Sequence, residues 1–564
     1  MINMKILFFS PLSFIRHHSF PETSLIKSFL KNNYKVDRIT CDGYFSSHCH
    51  SMENAGLSIS SSQNSKNKVC QHCILYSDVI GKLPGLKTLN GSDFIDKNLI
   101  NRISKFITKI NLDNYNIKLE FEGINLCKES LYETILKFKL NSTSLSTNSE
   151  LQYFKNQLRN SLISFFIAKK LSSLYEYDLL IMFNVQYAIM NSFHLGFKNN
   201  SSTRVFTLNG SDNNFYKTRL MRFWDWNAHK LLHPAKFYWN NFDMSKLPKE
   251  SYKVVKSHVK VLESAAAPNV YSEKKSFFKF NKIIDNSKYE KTALFAMSSF
   301  DEAFAAYAIG AYPDWKVNSK IFPSQLEWLE YTIDIFRSYP NHCLIVRIHP
   351  REMMNRRVSN LSKISQLETG EKPIKSKHNS EILNYINNTE LPDNVIINYP
   401  DQKISIYDLF DEIDFFISNT STTVVEALYN NKKVIVYDNE LTNYPDELVI
   451  LGKNKEDYRH NILAALKDSS KNDLKSKARN WWAYKHYVGN LMIKQSFVFS
   501  KLFRALVKIC IKFNLIMLLN ILSKFELSKF QLTTKSEMKL IELIKSKYTT
   551  FYDSRLISNK NILK

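Results

Sequence analysis

"CLIVRIHPRE" (Cys343–Glu352), "NVIINYP" (Asn394–Pro400), "DFFISNTSTTVVEAL" (Asp414–Leu428) and "KKVIVYD" (Lys432–Asp438) decide how this chain is read. Each begins with a short, β-branched apolar run of the length of a strand buried on both faces of a parallel sheet. Each run stops at polar residues, which in an open α/β sheet stand where ligands bind. "RIHP" closes the first run with a cation (Arg347), an imidazole (His349) and a proline. "SNTSTT" (Ser418–Thr423) closes the third and leads into a helical pattern at Val424–Tyr429. Hydroxyls and free N–H groups at a helix start suit an anion. Ser418, Thr420, Ser421, Thr422 and Thr423 are therefore candidate phosphate contacts. Glu426, one turn further on, is placed to accept hydrogen bonds from a sugar hydroxyl.

Upstream, "ALFAMSS" (Ala293–Ser299) reads as the first strand of the same sheet, and "FPSQLEWLEYTIDIFRSYP" (Phe322–Pro340) as a periodic helix. Ser298 and Ser299 can hold a phosphate. Asp301 and Glu302 can serve as a general base or ribose ligand, or simply stabilise a helix start through its dipole. "VSNLSKISQLETGEKPIKSKHNSE" (Val358–Glu381) reads as a charged surface insert, and "NELTNYPDE" (Asn439–Glu447) as a loop able to close on a donor.

The amino-terminal part repeats the logic. Met4–Ser10 and Tyr34–Asp42 read as strands around the helix "SFPETSLIKSFLKNN" (Ser19–Asn33), with Ser19 as a possible cap. This β-α-β opening places Arg16, His17, His18 and Glu22 at the carboxyl end of strand one, the ligand edge. Asp178–Asn184, Thr203–Gly210 and His229–Pro234 are further strand candidates. "NGSDNN" (Asn209–Asn214) reads as a turn at a strand end, and "FYKTRLMRFWDW" as helix core rather than a base-stacking platform. Four cysteines, Cys41, Cys49, Cys70 and Cys73, are interleaved with His48, His50 and His72. Thiolates in a Cys-x2-Cys pair can grip one edge of a tetrahedral zinc, which makes a structural zinc site one reading and buried thiols the other.

The chain has 564 residues, too many for one ordinary core, so two or three domains are expected. We expect a first Rossmann-like unit at 1–275 carrying the cysteine insert, a hinge near Ala265–Lys291, a second unit at 290–490 and a basic helical tail at 491–564. The fold class is α/β, with two Rossmann-like domains. Apolar residues at 44% and charged residues at 23% are globular values. The net charge of +24 suits phosphorylated substrates or an anionic membrane surface, or reflects lysine-rich solvated faces. No nucleic-acid recognition motif is visible, so nucleic acid is not an expected partner. The opening does not read as a secretory signal, and seven cysteines without one suggest a reducing cytoplasm. Ser500–Leu532 has the pattern of a basic amphipathic helix lying on a membrane, or equally of a helix crossing back onto the first unit.

"ALFAMSSFDE", "SQLEWLEYTI", "LIVRIHPRE" and "LPDNVIINYP…SIYDLFDEIDFFISNTSTTVVEALYNNKKVIVYD" resemble the carboxyl half of bacterial capsule and surface-polysaccharide biosynthesis proteins. Those are GT-B-type glycosyltransferases with a His-Pro motif and a later Ser/Thr motif, so the resemblance implies a GT-B architecture, two Rossmann-like domains facing a cleft. The same residues are similar to bacterial sialyltransferases and Kdo transferases and, more distantly, to polyglycerolphosphate polymerases. The likeness covers residues 290–440, and the opening "ITCDGYFSSHC" with "CQHC" also resembles that of some surface-carbohydrate proteins. It implies that His349 contacts the donor phosphate, that Ser421 and Thr422 form a phosphate-binding hydroxyl pair, and that Glu426 meets the ribose or sugar. The acidic-acidic-Gly triplet of the sialyltransferases has no match, because Asp301–Glu302 is followed by Ala303.

The reading is thus a glycosyltransferase that moves sugar from a nucleotide-sugar donor to a glycan or lipid-linked acceptor near His17, His18 and Asn209–Asn214. No Asp-x-Asp metal motif stands at a strand end, so no catalytic metal or other cofactor is expected. Alternatives are a nucleotide-sugar epimerase or glycerophosphate transferase on the same fold, or a non-catalytic scaffold of a polysaccharide assembly complex.

Overall fold

The computed structural model describes residues 4–552, apart from 199–201, 215–217, 227–233, 266–269, 271, 277–284, 312–318, 352–376, 403, 439–441, 469, 471–472, 496–505, 507–508, 511–512 and 514. All of the strand candidate at His229–Pro234 except Pro234, which opens a helix, most of the charged insert and part of the Asn439–Glu447 loop therefore lie outside the described residues, as does the side chain of His17.

Among the described residues the strands form two sheets. The first contains β1 (Lys5–Ser10), β2 (Lys35–Thr40), β3 (Leu86–Asn90), β4 (Leu179–Phe183), β5 (Arg204–Asn214) and β6 (Thr218–Asp225). The second contains β7 (Lys291–Ala296), β8 (His342–Arg347), β9 (Val395–Asn398), β10 (Phe415–Ile417), β11 (Lys433–Val436) and β12 (Ile450–Leu451). Then β13 (Asn490–Gln495) and β14 (Phe530–Leu532) return to the first sheet. The orders are β14-β13-β6-β5-β4-β1-β2-β3 and β12-β11-β10-β7-β8-β9. The second sheet is parallel throughout, and in the first β3, β2, β1, β4 and β5 are parallel. Counted from its own first strand, the second sheet runs 3-2-1-4-5-6, and the parallel part of the first runs 3-2-1-4-5. Both are doubly wound Rossmann orders, so the two-unit α/β fold expected from the sequence is the observed one.

Burial explains why these runs are strands. Alternate residues of β1 enter different cores, Ile6 and Phe8 on one face and Leu7 and Phe9 on the other. In β7, Leu294 and Ala296 face one core while Ala293 and Phe295 face the other. A strand covered on both faces needs a continuous apolar run, because its side chains alternate between the faces.

Several local expectations are corrected. The helix after β1 runs Arg16–Lys31 with Ile15 at its N-cap. Ser19 lies inside it and donates to the Ser13 carbonyl at 3.0 Å, so it is no cap. "NGSDNN" is not a turn, because β5 continues to Asn214 against β6. "FYKTRLMRFWDW" contributes strand β6 rather than helix core, with Met221, Phe223 and Asp225 buried and the residues between them partly open. That alternation is the period of a strand. The chain joins the second core before the expected hinge: Ala235, Leu247, Val255 and Leu262 pack with Leu294, Cys343 and Phe416. The tail crosses back. Leu519, Leu527, Leu540 and Leu543 share a core with Ile6, Phe8 and Phe20, and Lys27 donates to the Leu527 carbonyl at 2.7 Å. Besides helices, the tail thus supplies two strands to the first sheet.

Candidate active site

In a doubly wound sheet, crossovers run outward on both sides of the first strand, which leaves a crevice where they diverge. In the second unit the crevice lies between the carboxyl ends of β7 and β10. The loops there are stitched by hydroxyls. Ser418 is buried and donates to the Ala296 carbonyl at 3.0 Å, and Thr420 donates to Ser298 Oγ at 2.8 Å. Ser421 and Thr423 share a hydrogen bond at 2.7 Å, and the Thr423 N–H donates to Ser421 Oγ at 3.2 Å. Ser421, Thr422 and Thr423 line a cavity open to solvent. Ser298, Ser299 and Thr420 line a smaller recess beside it.

Arg347, the last residue of β8, reaches that cavity wall. Its guanidinium is buried and donates to Asn398 Oδ1 at 2.5 Å and to the Ile404 carbonyl at 3.0 Å. Burial pushes its pKa down to about 10, which leaves it charged at neutral pH. Among the described residues, neutral acceptors bond it and no carboxylate stands within ion-pair distance, while Glu273 acts on it from further off. A buried cation in that state is costly unless an anion arrives.

His349, two residues on, also lines the cavity. Its Nδ1 accepts the Arg351 N–H at 3.2 Å, which assigns the ring proton to Nε2. Burial pushes its pKa down to about 3, helped by the charges of Arg351, Arg347 and Lys139. At neutral pH it is an uncharged donor beside a permanent cation. Glu426 is buried at the same wall and accepts the Tyr407 hydroxyl at 2.6 Å.

Asp301 and Glu302 are arranged differently from the cavity residues. Both pair with Arg351, Asp301 at 2.8 Å, and Asp301 also takes the Ser299 hydroxyl at 2.5 Å. They brace the segment carrying His349 rather than lining the cavity. Sequence reading also missed residues that do line it: Tyr407, His258, Trp482 and His486. The His258 ring lies 4.8 Å from His486 and 5.0 Å from Trp482. They come from segments more than two hundred residues apart, so no local motif could have joined them.

The first unit has its own crevice between β1 and β4. His18 stacks on Phe183 at 3.7 Å, and a small recess there is lined by Ser10, His18, Glu22 and Phe183. Burial pushes Glu22 up to about 7, opposed by Arg38 at 3.7 Å and by the Ser10 hydroxyl. Asn184, at φ 41, turns the chain after β4, a conformation Asn tolerates. Arg16 instead pairs with Glu526 and ties down the tail. Asn209 sits in paired strand rather than in an open turn.

One helix links the two crevices. On Cys127–Phe138, Tyr132 donates to Gln186 Oε1 at 3.1 Å and Glu133 accepts the Ala188 N–H at 3.0 Å, both in the segment after β4. The same helix packs against Phe300–Ala308, which follows β7. Just beyond it, Lys139 donates to the Arg351 carbonyl. The ligand edges of both units therefore converge on this helix.

No family model matches the chain, and no curated protein matches it. Solved structures it is similar to include the glycosyltransferase SnogD from Streptomyces nogalater, at 9% identity over 85% of this chain and 95% of that one, with a TM-score of 0.23. A second is the UDP-GlcNAc 2-epimerase of Methanocaldococcus jannaschii in complex with UDP-GlcNAc and UDP, at 11% identity, 85% and 98% coverage and TM-score 0.28. A third is KpsC of Thermosulfurimonas dismutans, a beta Kdo 2,4 transferase, at 10% identity, 55% and 79% coverage and TM-score 0.27. At such scores the case for the architecture rests on the strand orders above.

Proposed function

We propose that this protein is a glycosyltransferase of surface-polysaccharide biosynthesis that takes its sugar from a nucleotide-linked donor. The observation that carries the proposal is Arg347, a buried cation with no carboxylate in ion-pair contact among the described residues, at the wall of a cavity rimmed by Ser421, Thr422 and Thr423. That set suits a phosphate, and Glu426 with Tyr407 suits a ribose or sugar hydroxyl. Breaking the donor's glycosidic bond leaves negative charge on the nucleotide phosphate. Arg347, the His349 N–H and the hydroxyls are preorganised to stabilise it. The charge being met by Arg347, the reading includes transfer without a catalytic metal, tested by EDTA leaving the rate unchanged.

A glycan or lipid-linked acceptor would lie against the first unit. Its hydroxyl must lose a proton, and with Asp301 and Glu302 held by Arg351 the reading gives that role to His18, with Glu22 beside it in the same recess. The site of action is the inner face of the cytoplasmic membrane. The tail helix Ile516–Lys529 buries Leu519, Ser523 and Leu527 but exposes Met517, Ile521 and Phe525, Met517 at 80%, beside exposed Lys524 and Lys529. Such a face suits shallow insertion into anionic lipid. No helix among the described residues is long and apolar enough to cross a membrane.

The test is thermal unfolding against UDP-, GDP-, CMP- and CDP-linked sugars. A ligand binding only the folded state at a hundred times its Kd adds about 2.7 kcal/mol of stability. The expected result is a raised midpoint with one nucleotide, abolished by Arg347→Met. No shift with any donor at millimolar concentration would overturn the donor reading. Turnover of the bound nucleotide sugar without an acceptor would replace transfer by epimerisation.

A further inference from the structure

The cysteines that stood out in the sequence converge in space. Cys41 follows β2, Cys49 is the N-cap of the short helix His50–Asn54, and Cys70 and Cys73 lie one turn apart on the helix Gln63–Gly81. All four line one small cavity beside Pro11 and Gly43, away from the donor cavity. We propose that they form a tetrathiolate site for one structural zinc-type divalent ion.

Three features beyond the clustering support it. A backbone N–H hydrogen-bonds one sulfur and others lie near two more. The Phe14 N–H donates to Cys73 Sγ at 3.3 Å, and the N–H groups of Gly43 and Phe45 beside Cys41, and of Ser51 and Met52 beside Cys49, act in the same direction. Such donors favour sulfur in its charged, metal-binding form. The turn that aims the first pair depends on Gly43 at φ 116, a conformation only glycine adopts cheaply. None of the three interleaved histidines lines this cavity: His48 and His50 both contact Glu53 at 3.4 Å and His72 lies against the Phe14 ring, which leaves an all-sulfur ligand set. All four cysteines are free thiols.

Among the described residues no three ligating side chains already stand close enough to hold an ion. The thiols must draw in as it binds, each releasing its proton to solvent as its bond to the metal forms. The ion would then tie the end of β2 and the helix Gln63–Gly81 to the loop after β1. That loop is already held by the Phe14 N–H on Cys73, and it precedes His18 and Glu22.

The experiment is metal analysis of the full-length protein expressed with zinc and purified without chelator. We expect about one zinc per chain, and a cobalt-substituted form showing the visible spectrum of tetrahedral thiolate coordination. Cys70→Ser/Cys73→Ser should lose the metal, whereas Cys127→Ala, outside the cluster, should keep it. Should the double variant fail to fold, mercurial titration of the wild type decides. Release of one zinc as about four thiols react supports the site. Less than about a tenth of an equivalent of metal, metal retained in the folded double variant, an iron–sulfur cluster in place of zinc, or disulfides among these cysteines would each overturn it.

Discussion

His349→Ala tests the electrostatics of the cavity most directly. The ring accepts the Arg351 N–H on Nδ1, and its pKa is pushed down to about 3 by burial and by Arg351, Arg347 and Lys139. At pH 5 on the order of one per cent of the rings would carry a charge, against nearly all of them at the ordinary histidine pKa. The imidazole should therefore serve the donor phosphate as a neutral hydrogen-bond donor across pH 5 to 8. A hydrogen bond to a charged group is worth about 1.5–3 kcal/mol, so the alanine variant should bind about 10- to 150-fold more weakly. Wild-type affinity should be flat across that range in its His349 component. The assay is calorimetry with an intact nucleotide sugar, whose phosphodiester groups do not titrate there, with Arg347→Met as the reference for lost charge. A tenfold rise in wild-type affinity on acidification from pH 7.5 to 5.5 that vanishes in His349→Ala would show a charged ring and refute the reasoning. Equal affinity of variant and wild type would show that the ring makes no contact.

Tyr407→Phe removes the hydroxyl that Glu426 accepts at 2.6 Å and should lower kcat/KM about tenfold in steady-state transfer assays, and the buried carboxylate left without that donor should lower the unfolding midpoint as well. Glu133 is pushed up to about 8 by burial, so between pH 4.5 and 8 the folded state holds a proton that the unfolded chain releases. Stability from this group must therefore fall as pH rises through that window. Glu133→Gln should remove a slope worth a few kcal/mol, read as the variant-minus-wild-type difference in urea unfolding at pH 5 and pH 8. Met517→Glu/Phe525→Glu should abolish sedimentation with anionic vesicles while leaving transfer to a soluble acceptor intact, since both side chains are exposed on the tail helix.

The parallel strands were legible because being covered on both faces demands an unbroken apolar run, and "LIVR", "FFIS" and "VIVY" declare it without neighbours. The hydroxyl loop Ser418–Thr423 and the cation at Arg347 were legible for a related reason. A strand's carboxyl end is where a doubly wound sheet exposes polar groups, so position alone made them candidates. Strand β6 was not legible. "RLMRFWD" serves either periodicity, and it is a strand because β5 and β13, the latter from far along the chain, offer it hydrogen-bonding edges. The tail was balanced between membrane and protein for the same cause. Its apolar residues exceed one face, and packing on Ile6 and Phe8 uses only part of them.

The sequence by itself determined the α/β class, the two Rossmann-like halves and the chemical types of residue at the ligand edge, because these follow from local periodicity. Only the tertiary structure decided what those residues can do. Asp301 and Glu302 are tied up by Arg351, His349 is neutral and Arg347 is a cation with no carboxylate in ion-pair contact among the described residues. Charge state and availability depend on burial and on partners distant in the chain, and neither is written in any local stretch.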